Sequence, residues 1–113
     1  MGNTTTWEWV ESCIVGRGTM GLMVQAGEFA ERMSEIFRDS DPLSGMERRF
    51  YPDEPYEFVF RWTEGDRKVE VTFMADPDLS GWSVVDGRRR SRGRIPPGDD
   101  GALRPLTKAL ESL

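Results

Sequence analysis

Residues 56–75 run "YEFVFRWTEGDRKVEVTFMA", two stretches of alternating apolar and polar residues around a polar turn. Tyr56, Phe58, Phe60 and Trp62 share one face of an extended chain, and Val69, Val71, Phe73 and Ala75 share one face of the next. A slip of one residue would set a buried aromatic against a charge. The register therefore pairs Trp62 with Val69, Phe60 with Val71 and, on the opposite face, Arg61 with Glu70. This leaves Glu64 to Arg67 as a four-residue loop.

Downstream, "GWSVV" at 81–85 is a further short strand, and Asp86-Gly87 is the strongest hairpin signal in the chain. With those two residues as the turn, Val85 faces Arg88, Val84 faces Arg89, and residues 88–94 return antiparallel. Leu103, Leu106, Leu110 and Leu113 recur at helical spacing, with Asp99 or Asp100 as cap and Pro105 in the first turn, so a short C-terminal helix is expected.

Upstream, Phe29, Met33, Ile36 and Phe37 recur at helical spacing from Gly27, with Glu28 and Glu31 at the start and Arg38 at the end. Asp41 before Pro42 ends that pattern, and a loop is expected up to about Pro55. Residues 6–15, "TWEWVESCIV", alternate weakly and stop at the breaker Gly16-Arg17-Gly18, while Met20, Leu22 and Val24 fall on one side of an extended 19–25. We read these as an N-terminal hairpin; the rival reading is a helix from Thr5 with a Glu8 capping box.

The fold expected is α+β: one domain over residues 1–113, with a mostly antiparallel sheet of about five to six strands. One long helix packs on a face of that sheet. The length suffices for a core without staples, and four Trp and six Phe supply its apolar surface. The start, "MGNTTTWEWV", has no basic and apolar leader, and no apolar run approaches a membrane span, so a cytoplasmic protein without membrane contact is expected. Thirteen arginines against two lysines match the coding bias of a GC-rich bacterial genome.

The chain has no histidine and one cysteine, Cys13. Imidazole-based catalysis, internal disulfides and cysteine zinc sites are thereby excluded, and Cys13, flanked by apolar residues, is expected as a buried, slowly reacting thiol. No nucleotide-binding or nucleophile-elbow motif is present, and no cofactor is expected. "DPDLSG" at 76–81 opens like a calcium loop, with Asp76, Asp78 and Ser80 as oxygen ligands, but its twelfth position is Gly87 where a bidentate Glu is needed. Such a turn is expected without metal. The acidic pairs Asp39/Asp41, Asp53/Glu54 and Asp99/Asp100 fall in loops and are read as solvated charges.

Charge is unevenly placed. Residues 1–60 hold eleven acids and five bases and 61–85 five and three, whereas 86–94 hold one acid and five arginines, Arg88, Arg89, Arg90, Arg92 and Arg94. A net charge of −5 repels nucleic acid at long range, so this stripe is read first as the protected edge of a sheet. Its guanidinium groups also suit carboxylates on a protein partner.

Three functions follow. The leading expectation is non-enzymatic protein binding, with an inhibitor- or immunity-like role. The second is polyanion or nucleic-acid binding through the arginine stripe. The third is a small-ligand binder or carboxylate-based enzyme with a pocket between helix and sheet lined by Trp7, Trp9, Phe29, Phe58 and Trp62.

Overall fold

A computed structural model describes residues 4–113; residues 1–3, the beginning of the stretch read for a leader, lie outside the described residues. The fold is α+β. Helices α1 (Thr6–Ile14) and α2 (Met20–Ile36) precede strands β1 (Glu47–Asp53), β2 (Glu57–Glu64), β3 (Arg67–Met74), β4 (Gly81–Asp86) and β5 (Arg89–Arg94), and helix α3 (Arg104–Glu111) follows. The five strands form an antiparallel meander in the order β1-β2-β3-β4-β5.

The central hairpin has the register expected from its aromatic alternation, with Trp62 opposite Val69, Phe60 opposite Val71 and Arg61 opposite Glu70. Its loop is shorter than expected. Glu64 pairs with Arg67, which leaves only Gly65 and Asp66, and Gly65 takes φ 60° at the first central position, as a II′ turn demands.

Residues 6–25 are not a hairpin. The rival helix from Thr5 is the structure: the Thr5 hydroxyl accepts from Glu8 N at 3.2 Å and donates to the Glu8 carboxylate at 3.0 Å. Trp7, Val10 and Ile14 then fall on one buried stripe that alternation would have split. The long helix begins seven residues before Gly27, at Met20, because the Thr19 hydroxyl caps it by accepting from Leu22 N at 3.3 Å. Burial of Leu22, Ala26, Phe29, Ala30 and Met33 outweighs the cost of two internal glycines, about 1 kcal/mol each. The Gly16-Arg17-Gly18 breaker is a turn, but between helices.

The expected loop before Pro55 contains a strand, β1. Its sequence, "ERRFYPD", shows no apolar alternation because it is an edge strand with one inward apolar anchor: Phe50 stacks on Phe60 with ring centroids 4.8 Å apart. Pro52 is tolerated at such an edge, where a missing N–H spoils no inner ladder.

The core lies between one sheet face and the three helices. Phe58, Phe60 and Trp62 of β2, Val69, Val71 and Phe73 of β3, and Trp82 and Val84 of β4 meet α1 and α2, with Leu106 and Leu110 of α3 completing the layer. Two polar clamps tie the layers. Asp41, read from sequence as a solvated charge, accepts from Thr6 N at 2.9 Å and from the Thr6 hydroxyl at 2.7 Å, which joins the start of α1 to the segment after α2. Gln25 of α2 donates to Met74 O at 2.8 Å, while Ser80 accepts from Met74 N at 2.9 Å and donates to Gln25 at 2.7 Å. The other sheet face carries no helix among the described residues, as antiparallel sheets permit.

Candidate functional site

The arginine strand β5 is built by its turn and by its neighbour. Asp86 pairs with Arg89, so the turn residues are Gly87 and Arg88, one position later than the sequence suggested. A turn centred on Asp86-Gly87 would force Asp86 into positive φ, whereas the observed turn asks this only of Gly87, at 62°. Val85 therefore faces Arg90, and Val84 faces Ser91.

Beyond Arg89, which lies on the helix-covered face, the strand alternates small residues inward and arginines outward. Ser91 and Gly93 share the helix-covered face with Val84 and Trp82, and Gly93 lies so close to the Trp82 indole that a Cβ there would come within 2.8 Å of Nε1. Arg90, Arg92 and Arg94 share the uncovered face with Val85, Ser83 and Gly81. Main-chain polarity follows the same period. The closing pair Asp86–Arg89 and the bond from Ile95 N to Ser80 O at 3.1 Å place the inward main-chain groups at 89, 91, 93 and 95. The N–H and C=O groups of Arg90, Arg92 and Arg94 consequently point to the free edge.

Five of the other eight arginines pair with the protein's own acids, while Arg38, Arg48 and Arg104 have no carboxylate within 4.0 Å among the described residues. Arg61 Nε donates to Glu70 at 2.8 Å, Arg49 pairs with Glu47 at 2.8 Å, Arg67 bridges Glu64 and Asp86 at 3.7 Å each, Arg17 reaches Glu54, and Arg32 binds Asp100. The hydrogen bond to the Glu70 carboxylate raises the Arg61 pKa further and holds its charge. Among the described residues none of Arg88, Arg89, Arg90, Arg92 and Arg94 has a carboxylate within 4.0 Å. Arg94 Nη1 instead donates to the carbonyl of Asp78.

Next to Arg92 and Arg94 the uncovered face sinks into an open depression of about 680 Å³, bordered by Glu70, Thr72, Ser83 and the exposed Leu79. Lys68 lies in the same cross-strand row as Val85 and Arg90, which extends the basic surface inward. Sequence reasoning missed Lys68, Thr72 and Ser83. Aligning Val69 and Val71 with Val84 and Trp82 would have revealed them, because that pairing fixes which residues of β3 and β4 face away from the core.

The five aromatic pocket candidates are in the core. Trp7, Phe29, Phe58 and Trp62 are buried and Trp9 is half-buried; Trp7 meets Phe29 at 6.0 Å and Trp62 at 6.2 Å, and Trp9 meets Trp62 edge-on at 5.7 Å. A small cavity beside Phe29, between α2 and the Ile95–Leu103 segment, measures about 20 Å³, room for one water.

The calcium-loop residues do not converge. Asp76 caps a short 3-10 turn by accepting from Asp78 N at 3.1 Å, and Ser80 is drawn inward by Gln25 and Met74. Cys13 is half-buried, less enclosed than expected, and packs against the core. Burial pushes its thiol pKa up, against smaller lowering effects of the Ser12 hydroxyl and of Arg48 and Arg17. No helix among the described residues is long and apolar enough to cross a membrane. Compared with family models, with curated proteins and with solved structures, the chain matches none of them.

Proposed function

We propose that this chain is a cytoplasmic, non-enzymatic protein-binding unit, inhibitor- or immunity-like in that it acts by occupying a partner's surface, and that the arginine edge β5 makes the contact. The carrying observation is the clustering at one sheet edge of five guanidinium groups that have no carboxylate partner among the described residues, in a chain that holds 20 acids against 15 bases. Solvated arginines massed at one edge keep their hydrogen-bonding capacity for an external anion, and bidentate guanidinium–carboxylate contacts are the strong form of such recognition. A net charge of −5 favours a protein surface over a nucleic acid, whose uniform phosphate field the acidic body opposes. The absence of histidine and the lone, half-buried Cys13 support a role without chemistry.

Affinity capture from nuclease-treated native lysate, with the wild type beside the R90E/R92E/R94E variant, tests this reading. A protein retained by the wild type and lost by the variant is the expected result. Nuclease-sensitive retention, or tight oligonucleotide binding that collapses with added salt, would replace it with the polyanion reading.

A further inference from the structure

Two properties of β5 coincide on the same three residues. Arg90, Arg92 and Arg94 present their side chains on the uncovered face, opposite Val85, Ser83 and Gly81. Their main-chain N–H and C=O groups are also those that no described residue pairs with at the free edge, because residues 89, 91, 93 and 95 use theirs toward β4 and Ser80. An added strand that hydrogen-bonds to this edge must set its own residues directly opposite these arginines, side chain beside side chain, with Cβ atoms about 5 Å apart.

We infer that β5 accepts an extended acidic segment of another protein as the next strand of the sheet, with carboxylates at alternate positions of that segment opposite Arg90, Arg92 and Arg94. The inference rests on the protein-binding reading and adds what the partner must look like. Alternate residues of an extended chain repeat at about 6.7 Å, so acidic residues at every second position match the three arginines one to one. A run of consecutive acids would send half its charges to the opposite face. Arg88 lies in the turn and Arg89 on the helix-side face, so they add to the local field without reading the register.

The same charges reject other occupants. Pairing with β5 of a second copy would bring arginine rows together. The other edge, β1, carries Glu47, Arg49, Tyr51 and Asp53 on its uncovered face, where Arg49 already holds Glu47 at 2.8 Å. It therefore adds a positive charge and offers one unengaged carboxylate, among the described residues, where an alternating acidic segment offers three. An apolar or basic strand would leave the arginines crowded and unpaired. Edge protection and partner selection are here one electrostatic property: the edge is closed to most strands and open to an acidic one. The exposed Leu79 lies beside Arg92 and Arg94 and offers apolar contact to a residue at one end of the segment.

The full chain is titrated with a short, end-capped synthetic peptide in which Glu alternates with Thr, with a peptide of the same composition whose glutamates are contiguous, and with a single-stranded oligonucleotide. Native-state amide exchange of residues 88–95 is followed in each titration. The alternating peptide is expected to bind about tenfold tighter than the contiguous one. It should also slow exchange at the amides of Arg90, Arg92 and Arg94, which are otherwise open to solvent, while those of Ser91 and Gly93 change little. The R90E/R92E/R94E variant, its fold checked by circular dichroism, should lose both effects. Equal affinity for the two peptides, or binding without slowed exchange at those amides, overturns strand addition while leaving arginine-dependent capture of a protein intact. Preference for the oligonucleotide overturns both readings. Self-association of the wild type that occupies the edge without peptide overturns the acidic-segment inference in favour of a second copy.

Discussion

The indole of Trp82 lies against Gly93 of the neighbouring strand, where an added Cβ would stand 2.8 Å from Nε1 and 2.9 Å from Cε2. The ring is buried in the core and cannot swing aside. In most strand positions alanine is no worse than glycine, but here G93A forces the core to shift, and a loss of about 1–3 kcal/mol is expected in urea unfolding. Unchanged stability would mean that the indole relaxes outward over the edge. G27A supplies a contrast of opposite sign, because Gly27 sits inside α2 and its new Cβ would meet only Ile14 Cδ1, at an ordinary 3.8 Å. The helix should gain about 0.5–1 kcal/mol in the same measurement.

Asp41 joins segments thirty-five residues apart by accepting from Thr6 N at 2.9 Å and from the hydroxyl of Thr6, a residue only 2% exposed. D41A leaves that hydroxyl and that N–H without their partner and removes a negative charge from the start of α1. The expected loss is about 1–3 kcal/mol, with D41N intermediate because an amide oxygen still accepts. Equal stability of wild type and D41A would show that solvent replaces the carboxylate there.

Cys13 has a thiol pKa above its ordinary value, chiefly through burial. The folded state therefore holds the thiol proton more firmly than the unfolded chain does. This contribution to stability is fully present below the ordinary thiol pKa of about 8.5 and is lost as pH rises through the folded value. Alkylation by iodoacetamide should be slower in the native protein than in urea, with its half-maximal pH displaced upward. R48A should displace it further, since Arg48 favours the thiolate. Native alkylation at the rate of a free thiol would contradict this.

The R90T/R92T/R94T variant separates protection of the edge from mere solubility. Threonine raises β-propensity while removing the charges that stand between the free main-chain groups of β5 and another strand. Sedimentation should show self-association of the variant at concentrations where the wild type is monomeric. A monomeric variant would place edge protection elsewhere, in twist or in the short length of the strand.

The alternation of Phe58, Phe60 and Trp62 against Val69, Val71 and Phe73 determined the central register by itself, because the period of an extended chain puts one face in the core and any slip exposes all of it. The arginine strand was legible from the Asp86-Gly87 turn signal, which announced an antiparallel return, although its register was not, since Val85 faces Arg90 and not Arg88. The helical identity of residues 6–25 was not. Weak alternation and helical spacing coexist there, Gly21 argues against a helix locally, and the decision fell to Leu22, Ala26 and Phe29, which find a sheet to bury against only once that sheet exists. β1 was invisible because an edge strand needs few apolar residues, and the turn at Gly87 slid by one because only backbone geometry shows which residue carries the positive φ. Most of all, sequence could count the arginines but not their partners. Ion pairs form across strands and between layers, so the tertiary structure alone decided that Arg17, Arg32, Arg61 and Arg67 are engaged by acids and that, among the described residues, the arginines of β5 are not.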